Sequence, residues 1–402
     1  MASKIPIKVL EVCQVSPSYE SQNSAVEVSL PLTFYDILWL KFHPVERIFY
    51  YELTDLTPTV FSLEILPKLK NSLSLTLLRF LPLAGNITWP SQSAKPIILY
   101  TPEDVPKLSA SDEKVHVLAL QITLFPNKGF SIGCAAHHAA LDGKSSILFM
   151  KAWAHLCKHS SCLLPAELIP VFDRTAFQDP EGIDIECLNQ ADGGSDSNAR
   201  SLKPFPPKEV EPNSVRATFN FSQEDIKKLR ERIFSQLDDK KDAEPIHLSS
   251  FATTFSYALV CLVKARGLKS DEKVMFGFGA DSGSVMQDDG ILFVARKVSE
   301  KIKGIEKTTL EVEKDKMKKL MMTTDLDAMP VRVSGSNRFE VYGVDFGWGR
   351  PKNVEVTNID RSGAISMAES KAESGGVEIG LVLKKDVMGI FKNLFVNGLK
   401  HV

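Results

Sequence analysis

Ala135-Ala136-His137-His138-Ala139-Ala140-Leu141-Asp142-Gly143 follows an apolar run, residues 129–136, that predicts a buried strand. A histidine placed where a strand ends and a glycine-containing turn begins can project into a cleft. Imidazole is the side chain best suited to take a proton near neutral pH. Asp142, four residues on, can lock the turn or orient its neighbours. The residues alone admit two readings. One is a general base at His138 with a structural carboxylate at Asp142. The other is two packed histidines, with Asp142 capping a helix that begins near Lys144. A metal pair of His138 and Asp142 is disfavoured, because no second His/Asp/Glu cluster at ligand spacing follows.

Working outward, residues 115–124 and 129–136 read as two strands joined at Pro126-Asn127-Lys128, and 145–157 as a helix. Residues 8–15 alternate like a strand, and 97–100 read as a short buried one. Residues 59–80 carry Leu66, Leu69, Leu73, Leu77 and Phe80 on one helical face, with Pro67 expected to kink it. Residues 178–213 are dense in Gly, Ser, Asp and Pro, which break both periods, so a crossover linker is expected. Beyond it, strands are expected at 215–221, 274–279, 339–346, 354–359, 364–369 and 377–383. Helices are expected at 225–234, 251–266, 291–321 and 386–398. Strands interspersed with helices in both halves predict an α/β fold, with an N-terminal domain at 1–177 and a C-terminal domain at 214–402.

A second compact motif is Asp345-Phe346-Gly347-Trp348-Gly349-Arg350. Two glycines around a tryptophan suit a rigid turn that lets backbone approach another element closely. Its first three letters match the metal-binding triplet of protein kinases, but the glycine-rich loop, the strand lysine and the His-Arg-Asp loop are missing.

Composition sets limits. The chain has 402 residues, with 48 Lys plus Arg against 50 Asp plus Glu and a formal charge of −2. That balance supplies no field for nucleic acid or an anionic membrane. Six scattered cysteines without a disulfide framework suggest reduced thiols in the cytoplasm. Neither a signal core nor a membrane-spanning run is apparent. His155, Cys157, His159 and Cys162 match no common zinc spacing and suit a helix end. The basic run 314–319 reads as a solvated helix face. Ser249 and Ser250 open a helix either as plain caps or as a place for a bound phosphate.

Taken together, the two motifs resemble those of the plant BAHD acyltransferases, whose signatures are HxxxDG and DFGWG. Here they are His138-Ala-Ala-Leu-Asp142-Gly143 and Asp345-Phe346-Gly347-Trp348-Gly349. The resemblance extends through Leu30-Pro31-Leu32-Thr33-Phe34-Tyr35-Asp36, Leu81-Pro82-Leu83-Ala84-Gly85 and Thr123-Leu124-Phe125-Pro126-Asn127. It is nearest the branch that acylates the sugars of anthocyanin, flavonoid and other phenolic glucosides with malonyl-CoA or hydroxycinnamoyl-CoA.

The resemblance implies two domains of chloramphenicol-acetyltransferase-like fold, mixed sheets flanked by helices, and a channel between them. It implies His138 as general base, acyl-CoA as co-substrate, no tightly bound cofactor, no metal and no acyl-enzyme. It also implies a phenolic glycoside acceptor and a monomeric enzyme. Asp142 and Gly143 are then structural, as are 345–349, and Asp142 is expected inside the protein, paired with an arginine.

This chain departs from the family in two places. After Gly277-Phe278-Gly279-Ala280-Asp281 the family's arginine is replaced by Gly283, and a Tyr-Phe-Gly-Asn segment is missing. A loop is also missing after Asp104-Val105. Those losses raise an alternative: a shortened relative that binds CoA or a phenolic ligand without efficient turnover. Arg174 is a candidate substitute partner for Asp142. A condensation domain would share the HHxxxDG pattern, but the DFGWG turn and the lack of a carrier domain argue against it.

Overall fold

The computed structural model describes residues 7–18, 26–102, 114–175, 179, 182–191, 200–206, 209–238, 246–276, 279–306 and 329–401. Strands of the first half are β1 (Val28–Pro31), β2 (Val45–Glu52), β3 (Asn86–Thr88), β4 (Ile97–Tyr100), β5 (Lys114–His116), β6 (Leu118–Phe125) and β7 (Gly129–Ala136). Those of the second are β8 (Ser214–Phe221), β9 (Lys273–Met275), β10 (Gly279–Asp281), β11 (Met329–Pro330), β12 (Val333–Gly335), β13 (Asn353–Val356), β14 (Ile365–Glu369) and β15 (Val377–Lys384).

The described strands form sheets ordered β1-β4-β3-β5, β13-β2-β7-β6, β12-β14-β15-β8 and β10-β9-β11. Two pairs, β12 with β14 and β11 with β9, are parallel, and the rest are antiparallel.

The main helices are α1 (Phe34–Ile37), α2 (Leu66–Arg79), α3 (Gly143–His159), α4 (Ile183–Ala191), α5 (Gln223–Asp238), α6 (Ser250–Arg266), α7 (Gly290–Glu306) and α8 (Lys385–Lys400). In α3 the buried residues Ile147, Met150, Trp153 and Cys157 recur at three- and four-residue steps, the spacing of one helical face. The Trp153 indole N–H donates to the Leu69 carbonyl and to Ser72 Oγ, both at 3.1 Å, which docks α2 on α3. Helix α6 is buried on almost all sides and forms the axis of the second core.

Pro67 does not break its helix. The turn before it, Phe61–Ile65, widens into a π-helical turn, and α2 resumes at once. Proline lacks an N–H and crowds the carbonyl four residues back, and a wider turn relieves both.

Three expectations are corrected. Residues 8–15 form no strand; Val9, Leu10 and Val12 are exposed, and an alternating pattern without a ladder partner cannot pair its backbone. Residues 339–346 are also not a strand. Glu340 takes a left-handed conformation (φ 54°), and a short 3-10 turn, Val341–Gly343, follows. The linker region contains α4, because Ile183, Cys187 and Leu188 make an apolar stripe that joins the first core.

The two large cores are not divided simply by chain position. Val341, Tyr342, Val344 and Phe346 lie in the first core, and β13 pairs antiparallel with β2. Arg216, on β8 of the other body, grips this crossing. Its guanidinium donates to Glu355 at 2.8 Å, Asp360 at 2.6 Å and the Val356 carbonyl at 2.9 Å.

Candidate active site

Strand β7 ends at Ala136, and the chain turns sharply. The His137 N–H donates to the Val117 carbonyl at 2.8 Å, and the His137 carbonyl accepts the N–H groups of Ala140 and Leu141. His137 is therefore buried structure. Its Nδ1 accepts the Ala139 N–H at 3.3 Å. Burial, aided by its neighbour His138, pushes its pKa down to about 4.

His138 is half-buried at the apex. Its ring stacks on the Trp39 indole at 4.0 Å between centroids and 9° between planes. Its Nδ1 is buried without a hydrogen-bond partner. Burial pushes the imidazole below its ordinary pKa, partly opposed by its own backbone carbonyl and the Asp142 carboxylate. A ring held neutral at pH 7 has the protonation state a general base needs.

Asp142 is exposed and caps α3: its Oδ1 accepts the Ser145 N–H at 2.7 Å. The expected inward position opposite an arginine is not observed. A short Asp side chain at a helix N-terminus satisfies a free N–H and complements the dipole, so no buried cation is required. Arg174 does not stand in for the missing partner, since its guanidinium pairs with Asp36. Gly143 lies under the Phe339 ring, where a Cβ would come within 2.7 Å of the ring edge.

Residues 345–349 meet the opposite end of the same helix. Asp345 Oδ1 accepts the N–H groups of Gly347 at 2.8 Å and Gly349 at 3.0 Å, and Oδ2 accepts from Lys158 at 2.7 Å. Burial pushes this carboxyl up, but Lys158 and the two N–H groups outweigh it and hold it below the ordinary value. Gly347 and Gly349 sit at φ 103° and 97°, which L side chains rarely adopt. Phe346 is fully buried, edge-on to Trp153 and Tyr51. Trp348 packs edge-on against Phe130, with the Lys68 ammonium over its face. Helix α3 has 17 residues and so separates this turn from the His138 loop by about 25 Å.

Ser249 and Ser250 lie at the start of α6. Ser249 accepts the Ala252 N–H at 3.1 Å as the N-cap. Ser250 Oγ accepts from Arg230 at 2.9 Å, and Arg230 Nε is buried without a partner. A helix N-terminus beside a guanidinium suits an anion such as phosphate. His155 and His159 contact each other at 4.5 Å. Among the described residues no three His, Cys, Asp or Glu gather where they could hold a metal ion.

Sequence reasoning missed Trp39, Phe339 and Arg230. It also missed Arg47, a buried guanidinium on β2 whose Nη1 lies 3.4 Å from Ser146 Oγ on α3. Burial lowers its pKa to about 10.

The Transferase family profile matches residues 5–98, 101–289 and 278–397. This chain belongs to the BAHD acyltransferase family. The second and third matched stretches overlap at 278–289. Phenolic glucoside malonyltransferase 1 of Arabidopsis thaliana is 37% identical over 98% of each chain. The malonyl-CoA:anthocyanidin 5-O-glucoside-6''-O-malonyltransferase of the same plant is 36% identical over 98% of each. The first of these alignments runs over 463 positions against 402 residues here, so the relative carries residues this BAHD acyltransferase lacks.

Solved structures share the fold. Vinorine synthase aligns at TM-score 0.60 and 19% identity, covering 94% of each chain. TRI101 of F. graminearum, complexed with ethyl coenzyme A, aligns at TM-score 0.65 and 13% identity, covering 92% of this chain and 97% of its own. The chain is thus an acyltransferase of the two-domain CoA-dependent fold. No helix among the described residues is long and apolar enough to cross a membrane.

Proposed function

We propose that this acyltransferase moves a malonyl or hydroxycinnamoyl group from acyl-CoA to a sugar hydroxyl of a phenolic, flavonoid or anthocyanin glucoside. Relatives named for malonyl transfer to such glucosides, matched over nearly the whole chain, support that substrate class. The observation that carries the mechanism is His138, half-buried at the end of β7 with its pKa held below the ordinary value.

A sugar hydroxyl is a poor nucleophile until its proton leaves. His138 Nε2 takes that proton as the oxygen attacks the thioester carbonyl carbon. The tetrahedral intermediate then breaks its C–S bond, and the CoA sulfur recovers the proton from Nε2. Asp142 and Gly143 anchor the loop to α3, and 345–349 brace the far end of that helix. Ser249 and Ser250, with Arg230, hold a phosphate of CoA. Residues 1–177 and 214–402 act as two domains joined by 178–213, with the 341–356 segment of the second lent to the first. The enzyme works as a monomer in the cytoplasm.

The test is release of CoA thiol from malonyl-CoA and coumaroyl-CoA in the presence of a phenolic glucoside, with mass detection of the product. His138→Ala should lower turnover by about 10²–10⁴-fold. A folded His138→Ala protein with near-normal turnover refutes the mechanism. A wild-type chain that transfers neither group refutes the substrate reading.

A further inference from the structure

The His138 imidazole lies flat on Trp39 at 4.0 Å, while its Nδ1 lacks a hydrogen-bond partner. Stacking on Trp39 and the pull of its own backbone carbonyl therefore orient the ring. Trp39 is braced in turn. Phe42 packs on it at 5.2 Å, and Phe205 meets Phe42 edge-on at 5.9 Å. The Phe205 N–H donates to the Lys41 carbonyl at 2.8 Å, which ties this aromatic row together across a long stretch of chain. Trp39 keeps 39% exposure, so the row is not simply part of the core.

An indole face carries negative quadrupole density. It attracts a cation more than a neutral ring, and desolvation strengthens the attraction. Resting His138 is neutral, but it becomes an imidazolium once it has taken the acceptor's proton. An interaction stronger with the charged ring than with the neutral one lowers the barrier instead of merely tightening binding.

We propose that Trp39 is a positioning residue for His138: it fixes the imidazole plane by stacking and stabilises the imidazolium formed when the acceptor hydroxyl gives its proton to Nε2. The proposal rests on His138 being the base. The proton comes from the acceptor hydroxyl and goes on to the CoA sulfur, so the enzyme ends each turnover unchanged. Asp142 also favours the charged ring, and buried His137 stands beside it on the same loop. Both remain in place when Trp39 is changed.

The test uses the full chain with Trp39→Leu and Trp39→Phe. Leucine keeps an apolar cover but removes the π face, and phenylalanine restores a weaker one. For Trp39→Leu, kcat should fall by about 3–30-fold, with KM little changed. Its acid limb of kcat/KM should move to lower pH, because the charged ring loses support while its cover stays. Trp39→Phe should recover part of both effects.

Protonated imidazole in contact with indole quenches its emission. Wild-type fluorescence should therefore drop as His138 takes a proton, and both Trp39→Leu and His138→Gln should abolish that step. If His138→Ala keeps wild-type turnover, the base assignment falls and this proposal with it. If His138→Ala is inactive but Trp39→Leu keeps wild-type kcat and acid limb, the proposal alone is overturned. Persistence of the emission step in His138→Gln would overturn it equally.

Discussion

Asp345→Ala removes the acceptor around which the 345–349 turn is wound. Two hydrogen bonds to a charged acceptor contribute about 1.5–3 kcal/mol each. The Asp345 side chain is 21% exposed, which favours the lower end, about 3 kcal/mol for the pair. The ion pair with Lys158, whose side chain is 45% exposed, adds at most about 1 kcal/mol. At about 2–4 °C per kcal/mol for a body of this size, the melting temperature should fall by on the order of 10 °C. Lys158→Met isolates the ion pair and should shift it by no more than about 4 °C.

The pH dependence of the Asp345 contribution has a definite sign. Its folded pKa is depressed, so its contribution is full above the ordinary carboxylate value. The gap between wild type and Asp345→Ala should close as pH falls below about 4. Scanning calorimetry across pH measures this, alongside steady-state kinetics. An Asp345→Ala protein with wild-type melting temperature and a pure loss of kcat would refute the reasoning and bring the turn into the chemistry.

His137, with its pKa pushed down to about 4, contributes stability that is full above about 6.5 and lost as pH falls toward 4. His137→Gln should flatten the urea midpoint across that window, and an unchanged slope would count against the buried neutral assignment. Gly143→Ala drives a methyl to within 2.7 Å of the Phe339 ring edge and should cost about 1–3 kcal/mol by urea denaturation. Adding Phe339→Ala should recover part of that loss, and strictly additive losses would show that the ring is not the obstacle.

Much of this was legible where the signal is local. Strand β7 is legible at its observed bounds, and α6, β14 and β15 to within a residue, because apolar runs and caps mark them directly. The candidate base stood out because a histidine pair at a strand end breaks an apolar pattern. What escaped depends on partners distant in the chain. Residues 8–15 alternate like a strand but find no ladder. Residues 339–346 alternate too, yet they bury side chains by wrapping over α3. Trp39 carries no periodic mark, and its importance comes only from meeting His138. The family resemblance implies an inward Asp142, whereas local capping places it outward.

Strand β13 carries a consequence for how this protein can be made. It completes a sheet whose other members, β2, β6 and β7, all come from the first 136 residues of the chain. A fragment ending before β13, whether from premature termination or a cut in 178–213, leaves the β2 edge bare with its backbone donors and acceptors unpaired. Open edges of that kind recruit other chains. Ribosomal synthesis meets the same hazard in time, because the strand that seals the N-terminal body emerges late. Quality of expression should therefore hinge on chaperone cover during the interval before β13 emerges, and the halves are poor candidates for separate production.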